Sequence, residues 1–500
     1  MKNSPLPRTC LSIATLGLFF ASAAALAQTP KPTPKPAQAN ASVPVLLISD
    51  IHFEPFWDPV KVAKLNAATP DKWDAILAPP ASPKRKQAFA AFLQQCACGD
   101  GDTSSVLFDT SLKNMRLQAA GVAFVTVSGD LISHQFDKKY ATAFRGSTDA
   151  DYSAFVEKTI QYVVGKLYAA FPGVPVYVAL GNNDTDCQDY WIDAGSDFLK
   201  DIGLEVAMNF PATEKTDAEA SFHAGGYYSV SLPAPIQNAR LLVLDDLFMS
   251  DSYRTCAGGL DPGAAAHQIS WLDGELAKAR ARQQKVWVMG HIPPGVDLYD
   301  TSKIIGGICG GTQKPAMFLS SEKMADVMAG YADVIQLAIF AHTHMDELRL
   351  LKDNSNATPL QPPGPGKAIP LKMVSSISPI HDNHPSITLA QVDPSTAALV
   401  DYSVFSSPDL TGDSTAKWKQ EYDFGTSYNL AAFSASTLTQ LIATFAADPG
   451  RTTQDSTDYI GDYSAGHTSS FLQTYWPQYV CTLSNHTDQA FKACLCSTAH

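Results

Sequence analysis

Six apolar, β-branched runs of strand length recur between residues 43 and 340, and five of them hand over to the clusters of Asp, His and Asn taken up below. They are "VPVLLI", "VAFVTV", "VPVYVAL", "ARLLVL", "KVWVMG" and "VIQLAIF". Several are separated by segments of helical period. "SAFVEKTIQYVVGKLYAAF" carries an apolar stripe at Phe155, Ile160, Val163, Val164 and Leu167, and "AHQISWLDGELAKARARQ" is a second amphipathic stretch. Continuous apolar strands alternating with helices predict an α/β layering in which helices cover the sheets. Such sheets carry their sites in the crevice beyond the carboxyl ends of the strands, and that is where the polar residues gather.

The exits supply Asp50 and His52 after the first run, Asp130 and then His134 after the second, and Asn182, Asn183 and Asp184 after the third. His291 follows the fifth, and His342 and His344 the sixth. A lone Gly-Asp after a strand marks a turn far more often than a ligand. A lone histidine is more often a hydrogen-bonded structural residue. Five clusters at strand exits, holding five of the chain's 12 histidines, read together as a metal site. Carboxylates, imidazoles and one amide, with no thiolate, suit zinc first, or manganese or iron, over calcium or magnesium. Seven candidate ligands exceed one tetrahedral ion and fit two divalent transition metal ions sharing a carboxylate. Such a pair clamps phosphoryl oxygens and activates water.

The order D-x-H, GD, GN, GH, HTH resembles the calcineurin-like metallophosphoesterases. The stretches "SDIHFEPFWD", "GDLISH", "GHIPPG", "HTHMDEL", "SSISPIHDNHPSITLAQVD" and "EYDFGTSYNL" narrow the resemblance to the acid sphingomyelinase-like phosphodiesterases, over roughly residues 43 to 480. The resemblance implies an α/β layered sandwich of two mixed β-sheets flanked by helices. It places Asp50, His52, Asp130 and His344 on one metal, and Asn182, His291 and His342 with the shared Asp130 on the second. It gives His134 the task of assisting the leaving group. Hydrolysis of a phosphoric diester by a metal-bridging hydroxide follows, with His134 or water protonating the departing alkoxide.

Asn183 stands where many relatives of that family carry histidine, and asparagine donates no proton. It is expected to hydrogen-bond a phosphate oxygen, which keeps two alternatives open. One is a phosphomonoesterase or endopolyphosphatase-like hydrolase, since fungal endopolyphosphatases are similar in having GNND. The other is a catalytically silent metal- or phosphate-binding homologue. Ala341 replaces a usual glycine and fits if its φ is negative. Phe53, Phe56 and Trp57 are candidates for a substrate slot, with core burial the alternative, and His381 and His384 are candidates to reach the cleft.

Lys2, Arg8, the apolar "CLSIATLGLFF" and "ALA" at 25–27 predict a cleaved signal peptide over 1–27, followed by a Pro/Lys-rich linker over 28–42. Export, to a periplasm or beyond the cell, is expected, with no transmembrane segment in the mature chain. Removing Cys10 leaves eight cysteines, an even number that favours disulfides of unspecified pairing. The catalytic domain is expected over 43–410. A small helical, disulfide-bearing C-terminal subdomain is expected over 411–500, with an antiparallel ending to the sheets before it. Asn485-His-Thr is a glycosylation sequon. A net charge of −13 argues against a nucleic-acid-binding surface. The expected partner is a small-molecule or lipid phosphodiester. Only leader and linker precede Val43, too little for a saposin-like domain, so soluble diesters and nucleotides stand beside sphingomyelin. The oligomeric state is not specified by the sequence.

Overall fold

A computed structural model describes residues 42–352, 367–413, 415 and 417–497. The expected signal peptide and, apart from Ser42, the linker lie outside the described residues. Among the described residues twelve strands run in chain order: β1 (Val43–Ile48), β2 (Val125–Ser128), β3 (Val176–Ala179), β4 (Tyr228–Ser231), β5 (Ala239–Val243) and β6 (Lys285–Met289), then β7 (Ile335–Phe340), β8 (Glu347–Lys352), β9 (Ala368–Met373), β10 (Ser386–Val392), β11 (Leu399–Ser406) and β12 (Lys419–Asp423). They form two six-stranded sheets, ordered β12-β11-β10-β1-β2-β3 and β4-β5-β6-β7-β9-β8. Both are mixed. β1, β2 and β3 are mutually parallel, and β10, β11 and β12 extend that sheet antiparallel. In the second sheet β5, β6, β7 and β9 run parallel between antiparallel β4 and β8.

The sheets are joined by large side chains with polar ends. Phe124, entering β2, meets Trp287 of β6 edge-on at 5.6 Å, and the Trp287 indole N–H donates to the Ala397 carbonyl at 2.7 Å. The Tyr228 hydroxyl of β4 accepts from the Val178 N–H at 2.9 Å and donates to its carbonyl at 3.0 Å. It thereby satisfies Val178 on the outer edge of β3, beside which no further strand lies among the described residues. The long helix Asp149–Ala170 starts on a capping box made by Thr148 and Asp151. It buries Phe155, Ile160, Val163, Val164 and Leu167, the stripe the sequence marked.

Of the expected antiparallel ending, "SITLAQVD" and "AALVDYSVF" form antiparallel β10 and β11, which β12 extends, whereas "IPLKM" forms β9 in the second sheet, parallel to β7. The expected boundary at 410/411 falls in the connection from β11 to β12, and helices follow from Phe424. Strand β12 departs from the helical reading of residues 411–500. "KQEYD" has no apolar alternation, but the open edge of β11 offers ladder partners that local pattern does not reveal. Strand β8, "ELRLLK", also escaped notice because its charges mimic a surface segment. It is wholly buried because the C-terminal region covers its edge. The N–H groups of Asp346, Leu348 and Leu350 go to the Tyr463 carbonyl, the Tyr459 hydroxyl and the Leu483 carbonyl. The eight cysteines pair as Cys96–Cys98, Cys187–Cys256, Cys309–Cys496 and Cys481–Cys494. Asn485 of the sequon is buried and donates to the Cys481 carbonyl at 2.8 Å. Among the described residues no helix is long and apolar enough to cross a membrane.

Candidate metal centre

Every strand-exit residue singled out in the sequence arrives at one crevice, where the C-terminal ends of β1, β2 and β3 face those of β6 and β7. Asp50, His52 and His291 are wholly buried, and Asp130, Asn182 and His344 nearly so. Asp130 Oδ2 lies 3.4 Å from His52 Nε2 and 3.2 Å from His291 Nε2. On one side Asp50 Oδ1 is 3.7 Å from His52 Nε2 and 3.6 Å from His344 Nε2, and those two nitrogens are 3.1 Å apart. On the other, His291 Nε2 is 3.2 Å from Asn182 Oδ1 and 3.3 Å from His342 Nδ1.

These spacings test whether cations fit. Ligand atoms at 2.0–2.1 Å from one ion in tetrahedral array lie about 3.3–3.4 Å from each other, and the distances here cluster around that value. Both Asp50 oxygens are buried without any hydrogen-bond donor, as is His344 Nδ1. An isolated buried carboxylate is costly unless a cation or donor faces it. The donor set therefore fits metal ions. A third grouping of acid and sulfur, Asp186 with Cys187 and Cys256, is different, because its two sulfurs form a disulfide.

Neighbouring groups fix which atom each ligand presents. His52 Nδ1 faces the Ile132 carbonyl at 3.0 Å and His291 Nδ1 the Ser128 carbonyl at 2.7 Å, so both turn Nε2 toward Asp130. Asn182 donates Nδ2 to Asp189 at 2.9 Å, leaving its amide oxygen for the cluster. Burial lowers the basicity of His342 and His344, bringing His342 down to about 3. Burial acts the same way on His52 and His291, but the Asp130 carboxylate overrides it and lifts them to about 9 and about 10. Burial opposes ionisation of Asp130, yet the facing histidines, His291 first, hold it well below the carboxylate range.

The loops that carry these residues are sharply turned. Asp50, His52, Asp130, His342 and His344 all have left-handed backbone, with φ between 45° and 70°. The loops hold one another there: Asp50 N donates to Gly129 O, His52 N to Asp130 O and Ser376 N to His344 O. Gly129, at φ 92°, has no room for a side chain, since a Cβ would stand 2.7 Å from His291 Nδ1. A Cβ on Gly181 would collide with Asp130. Ala341 is not among the left-handed residues, consistent with its replacing glycine.

Asn183 is turned differently from the expectation. Its backbone N–H and its Nδ2 both donate to Asp130, at 2.9 and 2.8 Å, so its amide faces the carboxylate rather than a phosphate in the cleft. Asp184 reaches no ligand position either. It is buried and accepts the N–H groups of Leu131, Ile132 and Gly181. His134 stacks on His52 with centroids 3.9 Å apart. His381 stands at the cleft, 4.4 Å from the His344 ring. His384 faces the Ala465 carbonyl and His467 instead. Phe53 and Phe56 are core residues, whereas Trp57 is half-buried beneath the Arg85 guanidinium. A cavity of about 530 Å³ opens beside His342 and His381, walled by Tyr299, Phe318 and Phe471, with the Glu347–Arg349 ion pair at its side.

Two buried carboxylates escaped the sequence reading. Asp246 accepts the N–H groups of His291 and Ile292, both at 2.9 Å. Asp102 accepts from His134. Asp246 sits two residues past the run "ARLLVL", a strand exit with no histidine to mark it. Asp102 follows no strand at all.

The family described as Calcineurin-like phosphoesterase matches residues 43–346, more than half of the chain. Sphingomyelinase phosphodiesterase C of Dictyostelium discoideum is 25% identical over 342 residues, covering 67% of this chain and 70% of that protein. Acid sphingomyelinase-like phosphodiesterase 3b of Homo sapiens is 25% identical over 404 residues, covering 79% and 80%. Cyclic GMP-AMP phosphodiesterase SMPDL3A of Mus musculus is 26% identical over 352 residues, covering 68% and 72%. With its sheets, its crevice and its clustered donors in place, the chain belongs to the calcineurin-like phosphoesterase family and is a metal-dependent phosphoric ester hydrolase similar to the acid sphingomyelinase-like phosphodiesterases.

Proposed function

We propose that the chain is an exported phosphodiesterase that works with two divalent ions. Asp50, His52 and His344 hold the first, Asn182, His291 and His342 the second, and Asp130 is shared. The observation that carries this reading is the near-tetrahedral spacing of buried donor atoms around Asp130, together with an Asp50 carboxylate that no hydrogen bond satisfies. Zinc suits the donor set best, with manganese or iron next. When bound, the ions polarise phosphoryl oxygens and activate the attacking water.

The protein's own groups do the rest. His134 lies over the cluster with its side chain 27% exposed, open to a substrate in the cleft, and donates a proton to the leaving oxygen. Asn183 hydrogen-bonds Asp130 and fixes the shared carboxylate. This geometry also bears on the alternatives. An Asn183 amide facing a terminal phosphate would favour a monoesterase, and that amide is occupied by Asp130. A silent homologue would have lost ligands or its proton donor, and the presence of all seven proposed donors and of His134 speaks against that reading. Four disulfides and the leader-like N-terminus support export. The substrate is a small diester whose non-reacting part enters the 530 Å³ cavity. The relatives' names give two chemistries for it, sphingomyelin and a cyclic dinucleotide.

The test is metal analysis of the purified protein together with turnover of a chromogenic diester and monoester. The expected result is about two transition ions per chain, preference for the diester, and loss of turnover on chelation with recovery on adding zinc or manganese. Turnover by protein free of any transition ion, or preference for the monoester, would overturn the proposal.

A further inference from the structure

We infer that Asp102 is a positioning residue that holds the His134 ring with Nδ1–H on its carboxylate, so that the imidazolium turns its Nε2–H to the leaving group. This rests on the reading of His134 as proton donor. Asp102 is wholly buried, and its carboxylate grips His134 at two points: Oδ1 accepts from Nδ1 at 3.0 Å and Oδ2 from the backbone N–H at 3.0 Å. The Ser378 hydroxyl donates to the same Oδ1 at 2.8 Å, and Lys139 Nζ lies 3.7 Å from Oδ2. Lys139, itself buried, is anchored by Glu54.

The main chain explains why Asp102 is there. Thr103 N donates to His52 O and Glu54 N to Thr103 O, so the segment after Asp102 is paired to the first ligand loop. His134 Nδ1 is thus committed to a carboxylate, and Nε2 is the nitrogen left for the cleft. Asn183 cannot supply a proton, and the Asp102–His134 pair stands over the cluster where one is needed. As the P–O bond breaks, its electron pair stays on the leaving oxygen, which takes the Nε2 proton of the imidazolium. Asp102 stays ionised and keeps Nδ1–H in place, and neutral His134 is reprotonated from water.

The alternative use of His134 is as a metal ligand, because its ring nitrogen groups with those of His52 and His344. The following measurements separate the two roles. Asp102→Asn is isosteric and should slow an alkyl diester, whose alkoxide needs a proton, by about 10²-fold or more. An aryl diester, whose phenolate leaves unaided, should lose less than about 10-fold. The double variant with His134→Ala should be no slower than His134→Ala alone. Ser378→Ala, which removes one bond to the same carboxylate, should repeat the substrate pattern at a few-fold. In ¹⁵N-histidine-labelled protein, neutral His134 should carry its proton on Nδ1 and move it to Nε2 in Asp102→Asn. Equal losses on both substrates, additive losses in the double variant, an unchanged tautomer, or loss of a metal ion from His134→Ala would each overturn the inference.

Discussion

Replacing Asp184 with alanine tests whether the metal crevice is held by its loops or by its ligands. The carboxylate accepts the N–H groups of Leu131 at 2.8 Å, Ile132 at 3.1 Å and Gly181 at 2.9 Å. It thus ties the loop after β2, which bears Asp130, to the loop after β3, which bears Asn182. Leaving a buried N–H without a partner costs about 1–3 kcal/mol, so three orphaned donors set a range of about 3–9 kcal/mol. A counterweight exists: burial, and then the Asp130 charge, push the Asp184 carboxyl up to about 7. Removing an acid whose ionisation is so opposed returns part of the loss, and water entering the vacated space restores some bonding. The expected net loss is about 3 kcal/mol, read by urea unfolding of metal-free protein. Metal affinity, read by competition with a chelator, should fall about 10–100-fold, as for other groups that orient ligands. Asp184→Asn keeps an oxygen for two donors but sets its own N–H against the third, so an intermediate loss of about 1–2 kcal/mol is expected. A stability within about 0.5 kcal/mol of the parent, the range of an ordinary surface change, with unchanged metal affinity would refute the argument that this carboxylate joins the loops.

Two further outcomes concern the C-terminal region. Burial, followed by the charge of Asp346, pushes the Asp462 carboxyl up to about 8, and Tyr428 donates to it at 2.7 Å. The unfolded carboxyl releases its proton near pH 4 while the folded one keeps it, so stability should fall as pH rises between those values, by up to about 1.4 kcal/mol per unit. Urea unfolding across that window should show a flatter profile in Asp462→Asn, and an identical profile would contradict the assignment. Cys309–Cys496 spans 187 residues and Cys481–Cys494 spans 13. Chain entropy then gives about 5 and about 3 kcal/mol on removing each with paired serines. The reverse ranking in denaturant unfolding would mean that local packing, rather than loop closure, governs these bonds.

Much of the frame was legible because the core strands are buried on both faces and so read as unbroken apolar runs. All six such runs contain a strand, β1, β2, β3, β5, β6 and β7 in turn. The candidate ligand positions stood out for a related reason: a polar residue directly after a buried strand needs a use. That logic names Asp184 as readily as Asn182, and spacing alone does not tell a residue facing an ion from one facing three backbone N–H groups. Asp102 was illegible because its segment reads as a solvated acidic loop, and only the pairing of Thr103 with the first ligand loop carries it to His134. Strand β8 fails the same local test, since Glu347 and Arg349 mark exposure until each is seen to satisfy the other beneath the C-terminal helices.

The backbone at the ligands carries one more lesson about how the site is encoded. Asp and His are among the few side chains enriched in the left-handed region. They are also the residues with the chemistry to hold a transition ion. Five candidate ligands occupy that region here, Asp50, His52, Asp130, His342 and His344. At about 1 kcal/mol or more each, the strain approaches the net stability of a small domain. Bonds between loops offset it, such as Asp50 N to Gly129 O and Ser376 N to His344 O, and these connect strands far apart in the chain. No single loop could keep such a turn by itself, so each turn exists only once the strands on either side of it are paired. The same turns bring donor atoms to tetrahedral spacing, and a cation that binds them stabilises the strained backbone and the chemistry together.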